Sequence, residues 1–344
     1  MSFNFKKTIR KKIVSNSWLL EVVNYLLRKK NKKNYINLLK NCSENNLFEI
    51  KNTAIQFPLY PFDFVIDNQM YGLGKTLRTY ANSNNPITSY IEHGLFFGNH
   101  IQFDEFDYFS NKIITFSEKR KKHLQDRGCK KNVITIGPYI KYSKSFLGEE
   151  KLEALKKELG SVLLVFPPHS TKNLTANYNI DRFIKEIENV DKDFDNTVIC
   201  LYWADVKNKK LLSKFSDKNF RITTAGHKYN PNFLSRLKSI IEISDMTMSG
   251  GIGTHIGYCV SMGKPHYIFN AKNEYKSNNS SGQESIEETK ENSIRENEIR
   301  EVMSVFEVYE NSITEKQFGI VEKYWGLRNH LSPDEMKRAL YDKF

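Results

Sequence analysis

From about residue 46 the chain alternates short apolar runs with polar, helix-patterned stretches, and it does so in two successive series. That is the pattern of an α/β protein. The first series reads as strands at Phe62–Ile66, Thr88–Ile91, Ile113–Phe116 and Val133–Ile136, with a charged helix at Glu118–Arg127 closed by Gly128. A linker follows Pro138, then a helix at Glu149–Leu159 ending at Gly160. The second series reads as strands at Val162–Phe166, Thr197–Tyr202, Phe220–Thr223, Ile243–Met248 and His266–Phe269. Helices at Ile180–Val190, Val206–Phe215 and Asn232–Ile241 separate them. Two such series imply two doubly wound, Rossmann-like parallel sheets facing a cleft.

The 344 residues suffice for two α/β domains, each with its own core. The expected division is a helical segment over 1–45, a first domain over 46–145, a second over 146–298, and helices over 299–344 that could return to the first domain. Lys272–Asn297 is polar and reads as a mobile loop. The tail reads as helices at Ile299–Tyr309 and Glu315–Trp325, then a short one opened by the capping pattern Ser332-Pro333-Asp334-Glu335.

Charge is concentrated at the start. Met1–Lys33 holds ten Lys or Arg against the single acid Glu21, which is +9 of the chain's net +12. Phe5, Ile9 and Ile13, then Leu19, Val22, Val23, Leu26 and Leu27, form apolar stripes among these bases. Basic amphipathic helices of this kind either lie on an anionic membrane surface or pack on the first domain and show lysines to solvent. A nucleic-acid enzyme more often spreads its positive charge along a groove, so no nucleic-acid partner is expected. There is no run of about 18 apolar residues to span a membrane and no secretory signal. Cys42, Cys129, Cys200 and Cys259 are widely spaced and read as reduced thiols. A cytoplasmic protein, peripheral on the inner face of the membrane, is the expectation.

The most informative stretch runs from Ile243 to Phe269. A strand ends at Met248, and Ser249-Gly250-Gly251-Ile252-Gly253 makes a turn poor in side chains. Thr254 and His255 then open a helix that stops at Gly263-Lys264-Pro265. Glycines let a diphosphate approach the backbone, and unpaired N–H groups at the positive helix end face it. Packing alone also uses such turns. A second motif, Phe166-Pro167-Pro168-His169-Ser170-Thr171, directly follows the first strand of the second series. Ligands of open parallel sheets sit outside the carboxyl ends of strands, so His169, Ser170 and Thr171 are candidates for a nucleotide phosphate. A third, Thr88-Ser89-Tyr90-Ile91-Glu92-His93-Gly94, leads a first-series strand into a turn, where Glu92 or His93 could take a proton. Thr224-Ala225-Gly226-His227-Lys228-Tyr229 is placed to meet a base or ribose through Gly226 and His227, or is a lead-in to the next helix.

Two motifs are set aside. Gly72-Leu73-Gly74-Lys75-Thr76 resembles the end of a phosphate-binding P-loop, but Gln69 stands where its first glycine belongs. Asp191, Asp193 and Asp195 resemble a metal-binding acidic motif but lie at the amino edge of a strand. No other cluster has metal-ligand spacing, so no metal and no cofactor are expected.

The Ile243–Phe269 layout resembles the donor loop of GT-B glycosyltransferases, particularly bacterial enzymes that build capsule, lipopolysaccharide or related surface glycans. The His169 motif is similar to the His-Pro motif of sialyl- and Kdo-transferases that use CMP-sugars, although here prolines precede the histidine. The Glu92-His93-Gly94 element resembles the acceptor side of GT-B polymer transferases. The resemblance implies a metal-independent, inverting transferase. Its second domain would hold the nucleotide-sugar donor through Ser249, Gly250, Gly251, Gly253, Thr254, His255 and the His169 loop. Its first would hold a glycan or lipid-linked acceptor and the base. A nucleotide-sugar 2-epimerase and a silent nucleotide-binding subunit are the alternatives.

Overall fold

The computed structural model describes residues 3–43, 46–101, 106–170, 174–270, 274–277 and 286–341. Two parallel sheets carry the chain, and the α/β expectation holds. The second sheet is built from β4 (Val162–Phe166), β6 (Asn196–Cys200), β7 (Arg221–Thr223), β8 (Met246–Ser249) and β9 (His266–Ile268). Their spatial order is β7-β6-β4-β8-β9, all parallel. The chain therefore reverses its direction of travel between β4 and β8, the switch point where ligands of such sheets bind.

β4 shows why this sheet is central. All five of its residues are buried, which permits a continuous apolar run rather than an alternating one. Val162, Leu164 and Phe166 face one core, Leu163 and Val165 the other. The second core is closed by α7 (Ile180–Val190) and α8 (Lys209–Ser216), through Phe183, Ile184, Ile187 and Phe215. The first is closed by α6 (Glu149–Leu159), α9 (Phe233–Glu242) and α10 (Thr254–Ser261). Asp191, Asp193 and Asp195 sit at the amino edge, where Asp195 accepts from Ser161 N at 2.8 Å and Asp191 from the Thr197 hydroxyl.

The first sheet has three parallel strands in sequence order: β1 (Tyr90–Ile91), β2 (Lys112–Thr115) and β3 (Asn132–Thr135), with α5 (Glu118–Asp126) between the last two. The strand expected at Phe62–Ile66 is absent. Two of its carbonyls, and two just before it, are claimed instead by a ladder of side chains on α2 (Ser17–Ser43), which follows α1 (Phe3–Val14). Asn24 donates to Asp63 O at 3.1 Å and Phe64 O at 3.0 Å, Arg28 to Pro61 O at 3.0 Å, and Asn31 to Leu59 O at 2.8 Å. The free edge of β1 is closed by the buried Asn68, which donates to Ser89 O at 2.9 Å and accepts from Ile91 N at 3.0 Å.

The short helix α4 (Leu73–Tyr80) flanks this unit, while α3 (Ile50–Thr53) packs on the second unit through Ile50 and the following Ala54. Part of the segment expected as a mobile loop is ordered: β10 (Glu274–Ser277) pairs antiparallel with β5 (Leu174–Asn177), and α11 (Ile286–Phe306) begins well before residue 299. Next come α12 (Glu315–Trp325) and α13 (Pro333–Leu340), and both the Thr314 and Ser332 capping boxes are formed. α13 ends against the first sheet, where Leu340 O accepts from Thr88 N at 3.3 Å and Ser89 N at 3.2 Å.

Each unit has a core of its own on one face, around Tyr90, Ile113 and Val133 in the first and Val165, Phe183 and Ile199 in the second, and the two share a third. Tyr139 and Ile140, in the expected linker, are fully buried, and Tyr139 stacks on Phe116 at 4.2 Å. One apolar cluster runs through them from Ile91 and Ile114 to Leu164 and Val260.

Candidate functional site

The carboxyl ends of β4 and β8 lie side by side, with Phe166 paired to Ser249. Gly250 follows, and its glycine has a local cause: a Cβ there would lie 2.3 Å from Pro168 Cδ. Its amide donates to Phe166 O at 3.1 Å. The two switch-point loops are thus fastened to each other, and Gly250 is not the open backbone expected for a phosphate. Ser249 is engaged likewise. Its buried hydroxyl donates to Gly251 O at 2.7 Å and lies 3.0 Å from His266 Nε2.

The open part of the loop is its end. Gly253 is the N-cap of α10 and supplies no capping side chain, so the helix start faces the edge of the sheet with its positive end. His255 lies flat against Phe166, ring centroids 4.6 Å apart. Its Nε2 is shielded from solvent and has no hydrogen-bond partner among the described residues. Burial lowers its pKa to about 3, with His169 nearby adding to the effect, so the ring is neutral at neutral pH. A buried polar atom without a partner is costly, and here it stands beside an uncapped helix start.

His169 stacks on Tyr202 at 4.3 Å. It is exposed to solvent, and the protein packed around it lowers its pKa to about 4. Ser170 closes the next turn by accepting from Ala176 N at 3.1 Å. Thr171 lies outside the described residues. Gly226 and His227 are packed within the protein. A Cβ on Gly226, at φ +98°, would sit 3.1 Å from Thr53 O. His227 is 2% exposed, with its edge on Trp203 at 4.3 Å and Nδ1 accepting from Tyr229 N at 3.2 Å.

The first unit meets this edge directly. The turn after β1 docks on α10, with Leu95 N donating to Thr254 Oγ1 at 3.0 Å, which leaves the Thr254 proton able to donate elsewhere. Glu92 is held in a buried ion pair. It has no solvent exposure, and its carboxylate receives Arg120 Nε at 2.9 Å, Arg120 NH2 at 2.5 Å and the Thr115 hydroxyl. His93, the next residue, turns the other way and is half-buried near Tyr71 and Phe96, at 6.0 and 5.8 Å. Burial lowers its pKa, against opposing pulls from Asp67 and Glu92, and Lys228 of the second unit lowers it further.

Sequence reasoning missed Tyr71. It holds a left-handed backbone (φ +55°), with its N–H on Lys228 O at 2.6 Å and its ring 4.9 Å from Phe233. Gly72 then fits under Pro231, where a Cβ would lie 2.6 Å from the carbonyl oxygen. A non-glycine residue held in that conformation is strained, and such strain gathers at sites fixed by their surroundings. The glycine after Tyr71 was the only signal in the sequence. Among the described residues no group of three His, Cys, Asp or Glu is arranged to hold a metal ion.

No family model and no curated protein matches the chain. Among solved structures it is similar to the wall teichoic acid polymerase TagF, at 13% identity and a TM-score of 0.37, over 75% of this chain and 66% of that one. It is also similar to UDP-GlcNAc 2-epimerase from Neisseria meningitidis, at 16% identity and a TM-score of 0.34, over 67% of this chain and 59% of that one. The chain thus spans less than two thirds of either protein's length. The architecture rests on the chain's own strand order.

Proposed function

We propose that the chain is an inverting, metal-independent glycosyltransferase of the GT-B kind. It would move a sugar from a nucleotide-sugar donor to a surface-glycan or lipid-linked acceptor at the cytoplasmic face of a membrane. The observation that supports this reading is a convergence at one sheet edge. The uncapped start of α10 with His255, and the His169 turn, share the switch point of the second sheet, and the turn that follows His93 docks on α10 through Leu95 and Thr254.

In this reading the donor phosphates sit at the start of α10. The first-turn amides and the Thr254 hydroxyl donate to them, and His255 and His169 flank them. The acceptor hydroxyl oxygen attacks the anomeric carbon from the opposite face. The bond from that carbon to the phosphate oxygen breaks, and the nucleotide leaves with the bonding pair. The acceptor proton passes to the neutral His93 imidazole. Lys228 and the positive helix end offset the charge that develops on the leaving phosphate.

Thermal shift with UDP, GDP, CMP and dTDP nucleotides tests the donor site. At least one should raise the melting temperature of the wild type. Gly253→Val, whose Cβ would fall 2.6 Å from His255 Nδ1, should remove that rise while the protein still melts cooperatively. Absence of any nucleotide effect would sink the reading. With a donor in hand, isomerised nucleotide-sugar formed without acceptor would assign the site to 2-epimerisation. Binding without turnover, with acceptor present, would assign it to a binding subunit.

A further inference from the structure

α2 is about 40 Å long at 1.5 Å per residue. Its inward face is fully occupied: Leu20, Asn24 and Cys42 are buried, and Asn24, Arg28 and Asn31 hold the 59–64 segment. The opposite face has no such cover. Trp18 is 70% exposed, Tyr25 56%, Leu26 57% and Ile36 50%. Residues 18, 22, 25, 29, 33 and 36 recur at three- and four-residue spacing and so share one stripe. On and beside it stand the exposed Lys29, Lys30, Lys32 and Lys33. The helix has one acid, Glu21, and Arg28 is 2.9 Å from it.

We propose that this outward face of α2 is a docking surface for an anionic lipid bilayer, with the helix lying in the plane of the interface. Trp and Tyr are the aromatic residues that favour a headgroup boundary, with an apolar ring and one polar atom. Lysines among them keep their ammonium groups at the level of lipid phosphates while their stems cover apolar surface. A second copy of the chain is a poorer occupant, because pairing two such faces would bring two rows of lysines together. Among the described residues no helix is long and apolar enough to cross a membrane, so the contact is one of lying on the surface.

The structure also moves the contact away from α1. There Lys11 is 2.8 Å from Asp107 and Arg10 4.0 Å from Asp67, so these bases help hold α1 to the first unit. The surface needs no donor or acceptor, and its test is independent of the proposed transfer reaction.

The test is co-sedimentation of the full chain with vesicles of phosphatidylcholine, with and without phosphatidylglycerol. Wild type should bind only the anionic vesicles and be released as salt shortens the Debye length from about 10 Å at 0.1 M. Replacing Lys29, Lys30, Lys32 and Lys33 with Gln should weaken partition at least about 100-fold, given the strength of each lysine near anionic lipid. Trp18→Ala with Tyr25→Ser and Leu26→Ser should do so comparably and abolish any blue shift of Trp fluorescence on binding. Both variants change exposed side chains only, and an unchanged melting temperature verifies the fold. No binding to anionic vesicles, binding unaltered in both variants, or self-association that the same variants abolish would each overturn the proposal.

Discussion

Glu92 and His93 are adjacent in sequence and opposite in role, because successive residues leaving a strand point to opposite sides. Glu92 turns inward to Arg120, which is itself 2% exposed, and the pair ties the end of β1 to α5. Glu92→Gln should therefore destabilise the fold by about 3 kcal/mol, since it leaves a buried guanidinium without its counter-charge. His93→Asn should leave stability nearly unchanged and lower turnover by about 10²–10⁴-fold. The pH profile separates them further. Burial holds the His93 pKa below its ordinary value, so the imidazole stays neutral as pH falls to about 6.5 and gains its proton only below that. Activity should be flat above about pH 6.5 and fall on the acid side alone. Urea denaturation and a pH–rate profile measure both, and an acid limb centred above pH 7 would assign the base to another group. The motif was legible in the sequence, but which of its two side chains is locked into a buried ion pair was not. That choice is made by Arg120, a residue 28 positions away whose partner no local pattern reveals.

At the scale of elements, what the sequence displayed and what it hid divide along one physical line. Helices with clear caps and stripes, such as α6, α7 and α12, fall where periodicity placed them. The false strand at Phe62–Ile66 has apolar content suited to a sheet, but Asn24 of α2 takes the carbonyls of Asp63 and Phe64. β5 and β10 are four residues each and exist only as a pair 100 positions apart, which no local window detects. Contacts between elements are equally invisible locally. Gly257 lies mid-helix in α10, where glycine is intrinsically poor, and the reason is Trp325 of α12. A Cβ on Gly257 would sit 2.1 Å from the indole Cδ1, and the indole Nε1 donates to Thr254 O at 3.1 Å. Gly257→Ala should cost about 1–3 kcal/mol through overpacking, and it should weaken nucleotide binding because the start of α10 shifts with the indole. Gly319→Ala in α12, where a Cβ meets nothing within 4 Å, should instead stabilise by about 0.5–1 kcal/mol. Thermal melts of the two variants test the pair, and equal effects would show that helix propensity, rather than the α10–α12 contact, sets the response.

Across the whole molecule, two sheets imply two domains by habit of reading, yet the packing argues for one cooperative body. The segment between the units buries Tyr139, Ile140 and Tyr142. Tyr139 stacks on Phe116 of the first unit, and Phe116 lies 6.4 Å from Tyr258 of α10 in the second. At the chain's end, Trp325 supports α10 while α13 closes the first sheet, so the tail spans both units. Unfolding either unit alone would expose much of the other's core. A single transition is therefore expected, with the protection of β2 and of β4 amides against hydrogen exchange lost at the same urea concentration. Tyr139→Ala should sharpen the test. Removing a fully buried aromatic ring costs about 3–5 kcal/mol, and if the core is shared that loss lowers the midpoint for β2 and β4 together. Were β2 alone to lose protection early, the units would be separate domains, and a cleft that opens widely between them would follow. Joint loss instead means that the switch point and His93 are held at fixed separation before any ligand arrives.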